Sequence, residues 1–193
     1  MDLKLAYPEL NSLELSEIQS YDRLLTKLLI EESTEIFPNS DEYHASLLMS
    51  KLLDNTSKSF CMVVGSFEGS ISNKPNYIDS LKKCLDKPDV EGKVLILEEP
   101  NTLSLGYKIL KASQKVKMYH ANEEARKIIQ SLQKTFKKDE IPHFSFFDQD
   151  KFRYEISTTT FSGFGGFKNE DYVKKLSDVF SSAIAVCDPE IDK

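Results

Sequence analysis

Between residues 59 and 136 the chain switches three times from a short β-rich apolar run to a helical period, and this alternation limits the fold more than any other feature. "SFCMVVGSF" (59–67) leads through a Gly/Ser/Asn loop into the amphipathic "NYIDSLKKCLD" (76–86). "KVLILEE" (93–99) leads into the short helical stretch "TLSLGYKILKAS" (102–113), and "KVKMYHA" (115–121) into "NEEARKIIQSLQKTF" (122–136), with Asn122 as its N-cap. Successive βα units require parallel strands joined by right-handed crossovers. The expected fold is therefore α/β, with a mixed, largely parallel sheet flanked by helices.

The first third has no strand period. "SLELSEIQSYDRLLTKLLIEEST" places Leu13, Ile18, Tyr21, Leu24, Leu25, Leu28 and Leu29 on one helical stripe, with Ser12 or Ser16 as the cap. After the turn cluster "FPNSD", with Ser40 as a candidate N-cap, "EYHASLLMSKLLDNTSK" repeats the pattern through Leu47, Leu48, Leu52 and Leu53 and ends near Asn55. This divides the chain into an N-terminal helical pair packed on the domain (1–56), an α/β domain (57–187) and an acidic tail (188–193).

Charge and composition narrow the function classes. At 193 residues and 40% hydrophobic content the chain suits one compact domain. Its net charge of −6 supplies no overall field for DNA, RNA or an anionic membrane, so general nucleic-acid binding is not expected. Neither a transmembrane run nor a secretory h-region is present in the sequence, which reads as soluble and cytoplasmic. Cys61, Cys84 and Cys187 are odd in number and far apart, which suits reduced core residues. With His44, His120 and His143 equally scattered, neither a metal site nor a cofactor is expected.

After the βα units come "HFSFF" (143–147) and "KFRYEIS" (151–157), joined by the polar link "DQD", a hairpin signal. With Phe147 opposite Lys151, the pairing sets Phe146 against Phe152, Ser145 against Arg153, Phe144 against Tyr154 and His143 against Glu155. Phe144, Phe146, Phe152, Tyr154 and Ile156 then share an apolar side, and His143, Ser145, Arg153 and Glu155 a polar one. A slip of one residue mixes the faces, so this register is predicted. The polar side has two readings: the solvated face of an edge hairpin, or a histidine oriented by a carboxylate for nucleophilic or proton-transfer work, with an arginine as phosphate clamp.

"HFSFFDQD" resembles the H-x-K-x-x-x-x-D signature of the phospholipase D superfamily at His143 and Asp150, with Ser145 in place of the lysine. The succession of βα units before that strand, and the small-residue segment and helix after it, also resemble one half of that superfamily over residues 59 to 186. Its second motif, G-S-x-x-N, falls on "STTTF", where Ser157, Thr158 and Phe161 take the motif positions, or on "GGFKN", Gly165 to Asn169. Ser157, Thr158 and Asn169 are the resulting binding candidates. The resemblance implies that two halves meet in one active site, so a single half requires a homodimer with the two His143 residues face to face.

Other segments carry weaker signals. The loop "VVGSFEGSISNKP" follows a predicted parallel strand, and Ser66, Glu68 and Asn73 are candidates to line a site there, beside the plainer reading of a strand-to-helix connection. The glycines of "SGFGGF" suit a close backbone turn, and Phe161, Phe164 and Phe167 are either exposed aromatics or core. Lys134, Lys137 and Lys138 form the densest basic patch and suit a helix C-terminus.

Three functions are compatible with the sequence. The first is a catalytically degenerate phospholipase D-like domain serving as a binding or assembly module, through homodimerisation or with a protein or phosphodiester partner. The second is a homodimeric phosphodiesterase or nuclease with His143 as nucleophile, Glu155 as its orienting carboxylate and Arg153 as clamp. The third is an α/β regulatory domain outside that family.

Overall fold

The computed structural model describes residues 3–132 and 141–188. Lys134, Lys137, Lys138 and the end of the acidic tail lie outside them. A short helix, α1 (Leu3–Ala6), precedes α2 (Ser12–Ile30), β1 (Phe37–Asn39) and α3 (Glu42–Asp54). The βα units follow as β2 (Ser59–Val64), α4 (Pro75–Asp86), β3 (Glu91–Ile96), α5 (Leu105–Ala112), β4 (Val116–His120) and α6 (Glu123–Gln130). The chain finishes with β5 (His143–Phe147), β6 (Lys151–Glu155), β7 (Gly163–Gly166) and α7 (Glu170–Ile184).

Both N-terminal helices form where their apolar period places them, but different residues cap them. Asn11 caps α2 in a capping box with Glu14, and Asp41 caps α3 by accepting from the backbone of Tyr43 and His44. Asn122 caps α6 as predicted, its side chain accepting from Ala125 N.

The strands make one sheet in the order β1-β7-β6-β5-β2-β3-β4. It is the mixed α/β sheet expected, with a different balance: β2-β3 and β3-β4 are parallel, whereas β1-β7, β7-β6, β6-β5 and β5-β2 are antiparallel. The βα period specifies only the parallel three-strand part. After α6 the chain crosses to the other side of β2 and adds β5, β6 and β7 there, and β1, from the N-terminal part, pairs outside β7.

Two of the antiparallel strands, β1 and β7, carry poor strand signals. In β1, Pro38 has no N–H to give a ladder, which an edge strand tolerates. In β7, a Cβ on Gly163 would fall against the backbone of Tyr154 and Glu155, so the close strand contact demands glycine. The glycine segment is thus a strand covering the outer side of β6.

Residues on the two sheet faces feed two cores. Leu47, Leu52, Met62, Leu81, Val94 and Phe147 lie in the core under α2 to α5, and Val63, Leu95, Phe146, Phe152, Leu176 and Phe180 in that under α6 and α7. Cys84 is buried, while Cys61 and Cys187 are half-buried, and none of the three is in a disulfide. Among the described residues, no helix is long and apolar enough to cross a membrane.

Candidate functional site

The β5-β6 register is the predicted one, including His143 opposite Glu155 and Ser145 opposite Arg153. Its faces also separate as predicted: Phe144, Phe146, Phe152 and Tyr154 enter the core under α6 and α7. The solvated-edge reading of the polar side does not hold, because β2 and β7 flank the hairpin. Ser145, Arg153 and Glu155 are each only 5% exposed.

The polar side forms a linked set of groups. Glu155 bridges His143 and Arg153, with Oε1 3.3 Å from His143 Nδ1 and Oε2 accepting from Arg153 at 2.7 Å. The guanidinium also donates to Asn39 Oδ1 at 3.2 Å and to the Phe161 carbonyl at 2.9 Å. Burial pushes the Glu155 pKa up, but the Arg153 charge and the His143 contact outweigh it and hold the carboxyl below its ordinary range. Glu155 is thus an ionised, buried carboxylate with two nitrogen partners.

His143 is the most accessible member of the set, its side chain 24% exposed. A Cβ on Gly65 would lie 3.2 Å from its Nε2 and 3.0 Å from Cε1, so the bare backbone at Gly65 gives the ring its room. Two cavities meet at this ring. One, of about 210 Å³, is bordered by Ser66, Glu68, Ser145, Arg153, Glu155, Thr158 and Phe161. The other, of about 310 Å³, adds Glu98 and Arg126. Both sit beyond the C-terminal end of β2, the usual binding edge of an open α/β sheet.

The remaining sequence candidates are dispersed. Asp150 lies in the turn at the far end of the hairpin, paired with Lys151 at 2.7 Å and Lys168 at 3.3 Å. Asn169 is held there too, its backbone N–H donating to the Asp150 carbonyl. The Asn73 side chain accepts from Leu105 N, and Ser157 Oγ from Thr160 N. Of the flanking aromatics, Phe167 packs on Phe37 and Phe164 on Phe152 and Tyr154, leaving Phe161 at the cavity.

Asn39 is a site residue that sequence reasoning did not find. It sits in "FPNSD", which reads as a turn, and 114 positions separate it from Arg153. Its amide also donates to the Phe161 carbonyl at 2.6 Å. Asn39→Ala leaves Arg153 Nε and that carbonyl without this partner, and is expected to lower unfolding free energy by about 1–3 kcal/mol. Urea denaturation at neutral pH measures the loss; a change within experimental error would remove the amide from the network.

No family model matches this sequence, and no curated protein matches it. Among solved structures, Nuc from Salmonella typhimurium, a phospholipase D family member, is similar with a TM-score of 0.56 at 12% identity, over 82% of this chain and 100% of Nuc. The fold is phospholipase D-like. NucT from Helicobacter pylori is similar with a TM-score of 0.53 at 10% identity, over 79% of this chain and 98% of NucT. TrmBL2, an archaeal chromatin protein, has a TM-score of 0.54 at 12% identity over 90% of this chain, which spans 62% of TrmBL2's length. Within this phospholipase D-like fold, Ser145 points its hydroxyl at Met49 Sδ, 3.4 Å away.

Proposed function

We propose that this chain is a phospholipase D-like domain that has lost phosphodiester turnover and acts as a binding or assembly module, homodimerising through the sheet end that carries His143. The observation that carries this reading is the commitment of Arg153. Its guanidinium is neutralised by Glu155 and further held by Asn39 and the Phe161 carbonyl, so the cation opposite Ser145 serves the protein itself. With serine where the resembled signature has lysine, a phosphodiester at His143 meets no dedicated cation from that position. Losing one such group costs about 2–4 kcal/mol of transition-state stabilisation, and a dimeric site loses two.

A second reading, a homodimeric phosphodiesterase with His143 as nucleophile, is favoured by one contact. The Glu155 carboxylate lies at Nδ1 of a ring that borders both cavities, an arrangement suited to nucleophilic work. DNA binding, which the description of TrmBL2 ascribes to that protein, has no support here from the net charge of −6. The phospholipase D-like fold favours both readings over a regulatory domain outside the family.

Sedimentation equilibrium and hydrolysis of bis(p-nitrophenyl) phosphate test the proposal together. The expected result is a dimer whose wild-type and His143→Ala forms both hydrolyse at the buffer rate. Hydrolysis that disappears in His143→Ala establishes the phosphodiesterase reading instead. A chain that stays monomeric at high concentration removes the dimer.

A further inference from the structure

The cavity of about 210 Å³ beside His143 is walled mainly by Met49, Met62, Val64, Phe67, Ile71 and Phe161. Such a lining gives a charged phosphate little to bind and suits an apolar ring. A cavity of about 150 Å³ with apolar walls admits benzene, so this one has room for a ring and a substituent, or for two fused rings. The methionines add thioethers that pack well on aromatic faces.

Three polar features qualify the lining. Tyr77, on α4, is 3% exposed, borders the cavity and makes no side-chain hydrogen bond among the described residues. Its phenol is a neutral donor at physiological pH, as tyrosine ordinarily is, and burial pushes its pKa further up. The Ser145 hydroxyl has a thioether sulfur, a weak acceptor, as its partner at 3.4 Å. Of the charged groups on the wall, Arg153 and Glu155 neutralise each other at 2.7 Å, and Glu68 lies at the exposed rim.

We propose that this cavity binds a small uncharged aromatic molecule carrying a hydroxyl or ring N–H, of phenol to indole size. The ring lies among Met49, Met62 and Phe161, and the polar atom exchanges hydrogen bonds with Tyr77 and Ser145. His143 stands at the rim, so occupancy of the cavity is felt at the sheet end assigned to assembly. The inference deepens the binding-module reading and rests on it.

The test titrates the full chain with phenol, indole, toluene and inorganic phosphate while observing methionine methyl resonances. Saturable shifts of the Met49 and Met62 methyls with phenol or indole, and none with phosphate, are expected. Tyr77→Phe should weaken phenol about threefold to tenfold and leave toluene unchanged, because it removes one hydrogen bond without altering the wall. Ser145→Leu, which fills the space, should abolish the shifts in a chain of unchanged circular dichroism. No saturable shift with phenol or indole, equal shifts with phosphate, or equal phenol affinity in Tyr77→Phe overturns the inference. The hydrolysis and sedimentation measurements are separate readouts, so an empty cavity in an inactive dimer fails this inference alone, whereas His143-dependent hydrolysis fails the binding-module reading.

Discussion

Replacing Arg153 with leucine is expected to lower the stability of the folded chain by about 3–5 kcal/mol at pH 7, the cost of stranding a buried charge. Glu155 is 5% exposed, and the guanidinium is its nearest cation, at 2.7 Å. Without it, the remaining nitrogen partner is His143 Nδ1, 3.3 Å away. The double variant Arg153→Leu/Glu155→Leu removes both charges and is expected to recover most of the loss, since apolar replacements of a buried pair are often neutral. Urea denaturation of the single and double variants measures this. Equal destabilisation of the two would show that packing, not the stranded charge, sets the cost.

The pH dependence has a definite sign. In the wild type the Glu155 carboxyl lies below its ordinary range. Its contribution is complete above the unfolded glutamate pKa of about 4.3 and is lost as pH falls through the lower folded value. In Arg153→Leu the largest opposing influence on burial is gone, so the folded pKa moves above the unfolded one. Its contribution is then complete below the unfolded value of about 4.3 and is lost as pH rises through the higher folded value. The gap between wild type and variant should narrow on acidification; a constant gap from pH 7 to 4 would contradict an ionised Glu155 in the fold.

Asp148→Ala is expected to cost about 2–4 kcal/mol, from loss of several hydrogen bonds to a charged acceptor. The Asp148 carboxylate takes the backbone N–H groups of Lys58 at 2.8 Å, Ser59 at 3.1 Å and Ser57 at 3.1 Å, and pairs with Lys151 at 3.0 Å. Its own backbone is left-handed, at φ 52°, which aspartate and asparagine accept more readily than alanine. Asp148→Asn, which keeps that tolerance and one acceptor oxygen, should lose about half as much. Burial pushes the Asp148 pKa up, but Lys151 and the N–H groups outweigh it and hold it low. Its stabilisation is therefore present above the unfolded aspartate pKa of about 3.9 and disappears as pH falls through the folded value. Equal stabilities for wild type and Asp148→Ala at neutral pH would show that the turn is held without it. The carboxylate ties the β5-β6 turn to the start of β2, so it fixes the strand alignment that brings His143 to Gly65 at the other end.

The hairpin shows how far residue pattern reaches. Alternation of phenylalanine and tyrosine with His143, Ser145, Arg153 and Glu155 sets the register, because any slip of one residue would mix charged and aromatic side chains on one face. The three βα units are equally readable, since β-rich runs and helical stripes have different periods. The strands β1 and β7 are not. Pro38 and the glycines of β7 are poor strand formers; Pro38 is tolerated because β1 is an edge strand, and the glycines pair because the partner strand approaches closely enough to need them.

That difference also separates the parts of the candidate site. Local sequence determines which residues share the polar face with His143, since side-chain direction along a strand follows from the two-residue repeat. Tertiary structure alone decides that this face is interior and that Asn39 reaches Arg153 across 114 positions. Those outcomes depend on which strand covers β6 and which helix lies over the hairpin. They are set by long-range burial and hydrogen bonding, for which no local period exists.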